Sequence, residues 1–318
     1  MAKLLAKACG IGPKKGNIMP DPEKKTVSAT ESPALFGASP YLTKWMLWHK
    51  FASGADIGKS ADSRMNWGTK LQPLILEQVA DDKKLEVIPN IGDHYIRSQP
   101  IGCTRDATII CPDRGPGALE IKCVFDYRSW MTNWGGGNAV PRHYEIQLQH
   151  QMAVGDGHRA FQWGIVAVWV CAELFYFERS LVNEFHDALY AAVVEFFDSV
   201  ERKVEPDAFG SPVEIPLLTR LYPTVADRVI DLSTDPDHVK TAEDVRMYEW
   251  HKQEEAGNKI AGEALRGKLL ALARDASQVL LPCGFSYRVR NVGKGKMIVP
   301  YIPEMPSPPP IREGSILS

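Results

Sequence analysis

The sequence predicts an α/β protein in which a mixed β-sheet is flanked by helices. Apolar segments of strand length, bounded by Gly and Pro, follow one another over residues 85–124 and again over 161–179. Segments with the helical repeat of apolar side chains stand before, between and after them. The resulting order is helix, three or four strands, helix, two strands, helix, which favours one sheet covered by helices.

The first long helix is predicted from Trp67 to Asp82. Its apolar positions fall on one face, formed by Leu71, Leu74, Ile75 and Val79. Pro73 should lie in the first turn or kink the helix, because proline lacks the backbone N–H that a helix interior uses. Upstream, Ser32 followed by Pro33 is a good N-cap and N1 pair for a short helix.

Strands and two further helices follow in order. The strand candidates are Leu85–Pro89, His94–Ile101, Cys103–Cys111 and Ala118–Val124. A Gly-rich loop at 135–138 precedes a helix predicted over Arg142–Val154, and the next strand candidates are Phe161–Val170 and Glu173–Arg179. An amphipathic helix is predicted from Leu181 to Lys203, with a stripe formed by Leu181, Phe185, Leu189, Ala192, Phe196 and Val200.

The two ends of the chain differ from this central part. Residues 1–25 contain six lysines with Gly and Pro, which is typical of a loosely ordered basic arm. A core is predicted over 26–205 and an extension over 206–318. The extension consists of an irregular linker over 206–235, one or two charged helices over 237–276 interrupted at Gly257, a β-hairpin of 279–289 and 296–301, and a Pro-rich tail at 305–311.

Composition sets limits on the class of protein. Of 318 residues, 44% are hydrophobic and 24% are charged, as in a soluble globular protein. The net charge is −2, so a basic surface for nucleic acid would have to be local. No apolar run has the length of a membrane span and no signal core is evident, which predicts a cytoplasmic protein with no membrane partner.

The cysteines point to free thiols. None of the six forms a CxxC pair, which argues against a zinc site or an iron–sulfur cluster. Four of them fall in apolar, strand-like runs: Cys103, Cys111, Cys123 and Cys171. Buried free thiols in a reducing compartment are the better interpretation.

The stretch from Asp106 to Lys122 carries the most chemistry. Asp106 opens one apolar run, a turn rich in Pro and Gly follows, and the second run carries Glu120, Ile121 and Lys122. Glu120 and Lys122 share a strand face because side chains alternate along a strand, and a hairpin would bring Asp106 to them. Two carboxylates and an ammonium suit a divalent metal and the hydrolysis of a phosphodiester.

The same residues also have a plainer interpretation. Asp106 could be an ordinary strand-end residue, and Glu120 with Lys122 could form a solvated strand face. The neighbours Leu119, Ile121 and Cys123 are apolar, however, as in a strand that is covered on both faces. Charge in such a strand needs a reason, so the pattern favours a functional role.

Polar and histidine side chains of the third helix are ambiguous. Gln147 and Gln151 lie four residues apart on one helix face, which is either an exposed polar face or part of a site. His143 and His150 share a face too, but with no Cys or third His to complete a metal site, they and His158 are expected at the surface.

Tryptophans could stack on nucleic-acid bases or fill a core. Core packing is the better interpretation for Trp45 and Trp48. Trp130 and Trp134 flank the Gly-rich loop that follows Lys122, and both interpretations stay open for them.

Four motifs occur in the order of one known family. They are Ser32-Pro-Ala-Leu-Phe-Gly37, the helix start Trp67-Gly68 to Pro73, Asp106 with Glu120-Ile121-Lys122, and the helix Tyr144-Glu-Ile-Gln147-Leu-Gln149. Over about residues 26–205 the chain resembles the lambda-exonuclease, YqaJ-type viral recombinase family of the PD-(D/E)xK nuclease superfamily. The resemblance implies a restriction-endonuclease-like core with a central mixed sheet.

The resemblance also implies roles at the proposed centre. Asp106 and Glu120 would bind Mg²⁺ or Mn²⁺, with the backbone carbonyl of Ile121 as a third ligand. Lys122 would position or activate the attacking water and stabilise charge that develops on the phosphate. Gln147 would orient Lys122 or the water.

Four further residues would contact DNA according to the same resemblance. Ser32, with a nearby basic residue such as Lys25, would lie at a pocket for the 5′-phosphate. Arg128, six residues after Lys122, matches a basic DNA-contacting position. Tyr144 belongs to the family motif, although its spacing with neighbouring apolar residues favours the core.

The chain departs from the family pattern at two positions. Gln72 stands four residues after the glycine, where the family has Glu. Its amide oxygen could still bind a metal, but with less charge, which weakens any second metal site. Glu77 lies about 140° further round the helix and is a poor substitute. Arg105 replaces the proline that usually precedes the first catalytic aspartate.

The function implied is a Mg²⁺-dependent exonuclease that degrades linear duplex DNA from 5′ to 3′ and leaves 3′ single strands for an annealing partner protein, in a phage or prophage setting. A homo-oligomeric ring such as a trimer, which the resemblance implies, would reconcile the −2 net charge with DNA binding, because only its channel need be basic. The alternatives are an endonuclease or single-strand exonuclease of the same fold, and a non-catalytic DNA-binding protein, which Gln72 favours.

Overall fold

The structure, a computed structural model, describes residues 25–57, 63–90, 92–96, 99–208, 210–253, 259–292 and 295–302. The predicted basic arm, apart from Lys25, the interruption at Gly257 and the Pro-rich tail lie outside these residues. The chain divides into two compact units, one of residues 1–40 with 47–205 and one of residues 41–46 with 206–318.

The elements follow the chain in an alternating order. The helices up to residue 205 are α1 (Ser32–Leu35), α2 (Lys44–Ser53), α3 (Ser63–Lys83), α4 (Tyr127–Asn133), α5 (Arg142–Val154) and α6 (Asn183–Glu201). The strands are β1 (Val27–Ser28), β2 (Glu86–Pro89), β3 (His94–Tyr95), β4 (Ile101–Cys103), β5 (Ala107–Cys111), β6 (Gly115–Val124), β7 (Trp163–Val170) and β8 (Glu173–Ser180).

The first unit is built on a five-stranded mixed sheet in the order β2-β5-β6-β7-β8. Neighbouring strands are antiparallel, except that β6 and β7 pair in parallel with Glu120 opposite Val166. Strands β1, β4 and β3 form a small second sheet. The predicted α/β class with a central mixed sheet flanked by helices is confirmed.

Both faces of the central sheet are covered. Ile165 and Ala167 of β7 pack with Ile75 and Val79 of α3 on one face. Val166 and Val168 pack on the other face with residues of α5, Leu148 and Met152. Burial on both faces explains why β7 is a continuous apolar run instead of an alternating one.

The α3 helix differs from the prediction at its start and in its buried face. It begins at Ser63, so Pro73 lies in its interior and not in the first turn. Leu74, expected in the core, is 62% exposed, and Leu76 is buried in its place with Ile75 and Val79. With four additional residues at the N-terminus, Pro73 is the eleventh residue of the helix, where its missing N–H removes the bond to the Thr69 carbonyl.

The region between α3 and β6 was predicted with strands that are too long. The segment 94–101 is not one strand, because β3 ends at Tyr95 and β4 begins at Ile101. Strand β5 begins at Ala107 and not at Cys103, since the Arg105 side chain turns into the interior and Asp106 turns toward β6. The predicted β5–β6 hairpin is confirmed, with Ala107 opposite Leu119.

Two smaller expectations also need correction. The stripe of α6 buries Val193 and not Ala192, together with Leu189, Phe196 and Val200. Cys171, expected to be buried, is exposed in the turn between β7 and β8, where its φ is +50°. Cys103 is buried as expected. Trp45 and Trp48 are buried as expected.

The second unit contains more regular structure than predicted. The supposed linker holds helix α7 (Ile215–Leu221) and strand β9 (Ala226–Asp231). The charged segment forms two helices, α8 (Val239–Gln253) and α9 (Lys259–Ala273). A hairpin forms as predicted between β11 (Ser286–Val292) and β12 (Gly295–Tyr301), in a four-stranded sheet with β9 and β10 (Ala276–Leu280). Its first strand was predicted wrongly, because residues 279–289 are divided between β10 and β11.

Membrane spans are a separate question. Among the helices of the described residues, none combines the length and the hydrophobicity that crossing a bilayer requires.

Candidate active site

The site begins where the β5–β6 ladder ends. The last pair of this ladder is Ala107 with Leu119. The next N–H of β6 that points toward β5 belongs to Ile121, and it therefore has no strand partner on the β5 side. Asp106 takes its place: Oδ2 accepts a hydrogen bond from the Ile121 N–H at 2.7 Å. Oδ1 accepts a second one from Nε2 of Gln72 on α3 at 2.9 Å. The hairpin therefore fixes Asp106 beside β6.

Glu120 is held on the opposite side by side chains. Its Oε1 accepts hydrogen bonds from Nζ of Lys122 at 2.5 Å and from Nε2 of Gln147 at 2.6 Å. Its Oε2 accepts one from Nε2 of Gln151, also at 2.6 Å. Only 4% of Glu120 is exposed. A buried carboxylate needs such partners, and here all of them come from β6 and α5.

Lys122 lies between the carboxylate and an aromatic ring. Besides Glu120, its ammonium donates to Oε1 of Gln147 at 3.2 Å. It also lies over the ring of Tyr144, 4.5 Å from the centroid, at a distance that favours a cation–π contact. Tyr144 in turn stacks on Trp134. The Lys122 side chain is thus confined on three sides, although 19% of it stays exposed.

The amides of α5 are buried, which is not what an exposed polar face would give. Gln147, Gln149 and Gln151 are 5%, 8% and 0% exposed. Gln149 serves the fold, because its amide donates to the Ser180 carbonyl and accepts from the Val182 N–H, both at 2.9 Å. Gln151 was not assigned a role from the sequence; its spacing of four residues from Gln147 was the available signal.

The negative charges of the Asp106 and Glu120 carboxylates are only partly balanced by positive charge. Burial, and then the charge of Glu120, raise the pKa of Asp106 to about 7, while the Ile121 N–H and Lys122 act in the opposite direction. Two buried carboxylates with one ammonium leave an excess of negative charge. A cation placed near both would remove this excess.

The donor set fits a hard divalent cation. Within the described residues, no group of three His, Cys, Asp or Glu side chains could hold a metal alone. Asp106 and Glu120 supply two carboxylates, and oxygen ligands are those that Mg²⁺ prefers. In an extended strand the N–H and C=O of one residue point to the same edge. Since the Ile121 N–H faces Asp106, its carbonyl oxygen faces that side too.

Gln72 contacts Asp106 as a hydrogen-bond donor. Its Nε2 faces the carboxylate, so its Oε1 stays available for another partner. An open cleft of about 420 Å³ borders Gln72 and Asp106. The cleft is lined further by Thr69, Pro73, Leu76, Glu77, Ala80, Val87, Pro89 and Asn90. A ligand can therefore reach the Asp106 side of the site from solvent.

Arg105 has a structural role that the sequence did not indicate. It is only 3% exposed, and burial lowers its pKa. Its Nη1 donates to the Gly155 carbonyl at 2.5 Å and its Nε to Oγ1 of Thr108 at 2.9 Å. Gly155 ends α5 with φ +53°, and a Cβ there would lie 1.9 Å from the Arg159 carbonyl oxygen. Arg105 therefore ties the residue before Asp106 to the end of the helix that carries the glutamines.

The residues predicted at a phosphate pocket are not brought together by any recorded contact. Ser32 is fully buried and its hydroxyl donates to the Ala29 carbonyl at 3.2 Å. It occupies the first turn of α1, while Glu31 is the N-cap, contrary to the prediction. The ammonium of Lys25 donates to the Phe51 carbonyl at 2.7 Å. Arg128 is exposed on α4.

Trp130 and Trp134, left open by the sequence, are core residues. They are 4% and 2% exposed and stack on each other with centroids 5.9 Å apart. They are therefore not available to stack on bases.

The histidines differ from one another. His158 is exposed, as predicted, but His150 is fully buried, so the surface interpretation is wrong for it. Burial lowers the pKa of His150 to about 3. His143 is half-buried, and burial followed by the charge of Lys122 lowers its pKa to about 4.

An aspartate and a Glu-x-Lys strand lie together on a mixed sheet, with a glutamine helix across them. The family model of the YqaJ-like viral recombinase domain matches residues 22–158 of this chain. This match includes Asp106, Glu120, Lys122 and the glutamine helix. The family predicted from the motifs is confirmed.

Solved structures are similar to part of the chain. The alkaline exonuclease LHK-Exo from Laribacter hongkongensis is 18% identical, with 57% of this chain and 90% of that one covered and a TM-score of 0.44. Its complex with dAMP gives 17% identity over the same shares and a TM-score of 0.46. A phage related exonuclease from Haemophilus somnus 129PT is 14% identical, with 56% and 96% covered and a TM-score of 0.44. No curated protein matches the chain.

Proposed function

We propose that this protein is a metal-dependent deoxyribonuclease that removes nucleotides from the ends of linear duplex DNA. The observation that carries the proposal is the convergence of Asp106, Glu120 and Lys122 in one largely buried site. Membership of a viral recombinase family supports DNA as the substrate. The finer assignment is 5′→3′ polarity, with 3′ single strands left for an annealing partner protein.

Mg²⁺, or Mn²⁺ in its place, would be held by Asp106, Glu120 and the Ile121 carbonyl. The bound ion supplies Lewis-acid polarisation and lowers the pKa of water, which is the part of phosphodiester hydrolysis that side chains perform poorly. The excess negative charge of the metal-free site supports this assignment, because a cation relieves it. Gln72 could add an amide oxygen from α3.

The side chains of the site would orient the attacking water and stabilise the charge that develops on the phosphate. The Lys122 ammonium would donate to the attacking water and to a phosphate oxygen on which charge develops. Gln147 accepts from Lys122 and donates to Glu120, so it fixes the position of both. The ring of Tyr144 closes one side of Lys122 and keeps its ammonium directed into the site. Burial excludes bulk water, which strengthens each of these interactions.

The assembly is also part of the proposal. A homo-oligomeric ring, such as a trimer, would enclose DNA in a channel and favour many cuts for each binding event. The net charge of −2 is compatible with DNA binding only if positive charge is concentrated at that channel.

The test uses linear duplexes with a 5′-phosphate and a label at one end or the other, incubated with protein and Mg²⁺. Mononucleotides from the 5′ end with a 3′ single strand left behind are the expected products. Lys122→Ala should abolish release, while Lys240→Ala, an exposed lysine of the second unit, should behave as wild type. Full activity of Lys122→Ala, or no mononucleotides from the wild type, would contradict the proposal.

Gln72 supports a second candidate, a DNA-binding protein of this fold without catalysis. A site with one carboxylate fewer binds a metal more weakly. A closed circular duplex, tested beside the linear one, distinguishes an exonuclease, an endonuclease and a protein that binds DNA without cleaving it. An exonuclease leaves the circle intact, an endonuclease opens it, and a non-catalytic protein retards both circle and linear duplex without cleavage.

A further inference from the structure

Gln151 is a polar residue in a position that packing alone would fill with an apolar one. It is completely buried, as are its helix neighbours Leu148 and Met152. Its Nε2 donates to Oε2 of Glu120 at 2.6 Å. Its Oε1 is buried without a hydrogen-bond partner among the described residues. An unpaired buried amide oxygen is unfavourable, so the amide needs a compensating reason to be there.

The reason offered by the geometry is the second oxygen of Glu120. Oε1 of Glu120 already has two donors, from Lys122 and Gln147. Oε2 has Gln151 as its one recorded donor in the part of the chain that the structure describes. Gln147 and Gln151 are one helical turn apart on α5, so they reach the two oxygens of the same carboxylate.

We propose that Gln151 is a positioning residue for Glu120: its amide fixes the plane of the carboxylate so that the lone pairs left free face a bound divalent cation. This inference rests on the proposed metal dependence. Partners that orient a metal ligand typically change metal affinity by 10–100-fold when they are removed. Gln151 therefore acts through Glu120 and does not touch the substrate.

Gln149 offers a matched control on the same helix. It is the same residue type, it is also buried, and both ends of its amide are used by the backbone at Ser180 and Val182. Substituting Gln149 should lower the stability of the fold without changing the position of the Glu120 carboxylate. Comparing the two positions separates an effect on the site from a general effect of losing a buried amide.

The experiment measures Mn²⁺ binding to the full-length protein without DNA, by electron paramagnetic resonance of the free ion. Wild type is compared with Gln151→Leu, Gln151→Met and Gln149→Leu, and Tm is recorded for each. We expect both Gln151 variants to bind Mn²⁺ about tenfold more weakly. Gln149→Leu should bind within about twofold of the wild type, with a lower Tm. In the cleavage assay the Mg²⁺ concentration for half-maximal rate should rise more than kcat falls.

The outcomes distinguish this inference from the proposed function. If the wild type binds no Mn²⁺, the proposed metal dependence fails. If the wild type binds and both Gln151 variants bind within about twofold of it, the positioning role is wrong. If neither Gln151 variant folds while Gln149→Leu does, Gln151 is a structural residue and the inference is overturned too.

Discussion

The two carboxylates of the site lie in contrasting surroundings. On the side of the glutamine helix α5, Glu120 is held by three side-chain donors and is almost completely buried. On the side of α3, Asp106 has one backbone donor and one side-chain donor, and an open cleft borders it. We call these the α5 side and the α3 side.

The side of the site that is held rigidly is therefore not the side that a ligand can reach. The α5 side is pre-arranged, because each of its donors is itself buried or confined, as a catalytic group requires. The α3 side is the one that a ligand can reach, and its single side-chain contact, from Gln72, can rearrange. Substitutions on the two sides should therefore have different effects on stability and on catalysis.

The largest effects are expected from Asp106→Asn and Glu120→Gln. Each should reduce cleavage by about a thousandfold or more, since each removes a negative charge from the proposed metal site. Their effects on the metal-free protein should be opposite. Asp106→Asn should raise Tm at pH 8, because burial and Glu120 disfavour the Asp106 carboxylate and the Gln72 amide can turn over to accept from Asn.

Glu120→Gln should instead lower the stability of the metal-free protein. A new amide NH₂ would face donors on Lys122, Gln147 and Gln151, and leaving buried groups unpaired costs about 1–3 kcal/mol. Thermal denaturation in the presence of a chelator measures both variants. Shifts of the same sign and size would show that the two sides do not differ.

A second pair removes one amide from each side. Gln147→Leu should reduce cleavage by about a hundredfold, because Gln147 contacts both Lys122 and Glu120. Gln72→Leu should reduce it by less than about tenfold, because Asp106 keeps its bond to the Ile121 N–H. Initial rates at saturating Mg²⁺ give the comparison, with Gln149→Leu as a fold control. If Gln72→Leu reduced the cleavage rate more than Gln147→Leu does, the α3 side and not the α5 side would be the rigid one.

Gln72→Glu should make the α3 side resemble the family pattern. A glutamate cannot donate to Asp106 and adds negative charge beside it, so the metal-free protein should lose about 1 kcal/mol of stability. The same charge should strengthen Mn²⁺ binding severalfold. Calorimetric titration of Mn²⁺ checks the direction, and weaker binding would exclude a metal near Gln72.

The α5 side is also expected to lose stability in acid. The folded protein lowers the pKa of His150 to about 3, below its ordinary value of 6.5, so the unfolded chain binds more protons between these values. Stability contributed by neutral His150 is therefore lost as pH falls below about 6.5. In His150→Leu the free energy of unfolding should decrease less steeply as the pH falls, with a slope smaller than that of the wild type by at most about 1.4 kcal/mol per pH unit.

Urea denaturation at pH 7.5, 6.5, 5.5 and 4.5 measures this slope. His94 and His143, whose pKa values are both lowered to about 4, should keep part of the acid sensitivity. His158→Leu, at an exposed position, is the matched control. An unchanged slope in His150→Leu would mean that its burial does not contribute to acid unfolding.

The sequence predicted the α5 side better than the α3 side. The helix Arg142–Val154 was placed at its observed bounds, because its ends and its apolar stripe are local signals. The hairpin with Asp106, Glu120 and Lys122 followed from alternation and from the turn. By contrast, the buried face of α3 was predicted wrongly at Leu74, which is exposed while Leu76 is buried, since the face that is buried depends on the sheet it meets.

Other parts of the site depended on distant contacts that the sequence does not display. The burial of Gln151 requires Glu120, which lies 31 residues away along the chain. Arg105 looked like a replaced proline, but it binds the Gly155 carbonyl, 50 residues away. Ser32 was placed by motif alone, and its contact with Ala29 does not bear on the proposed phosphate pocket.

The parallel pairing of β6 with β7 has a consequence for how the site forms during folding. The β5–β6 hairpin is local, so Asp106 can reach Ile121 early. Strand β7 can reach β6 only after the whole crossover that contains α5 is in place, and closing such a long loop is slow. A chain cut at residue 158, where the family match ends, would lack β7 and leave the edge that carries Glu120 unpaired. The exposed edge of such a fragment would be open to pairing with other chains, so the strand that carries Glu120 depends on sequence beyond the family match.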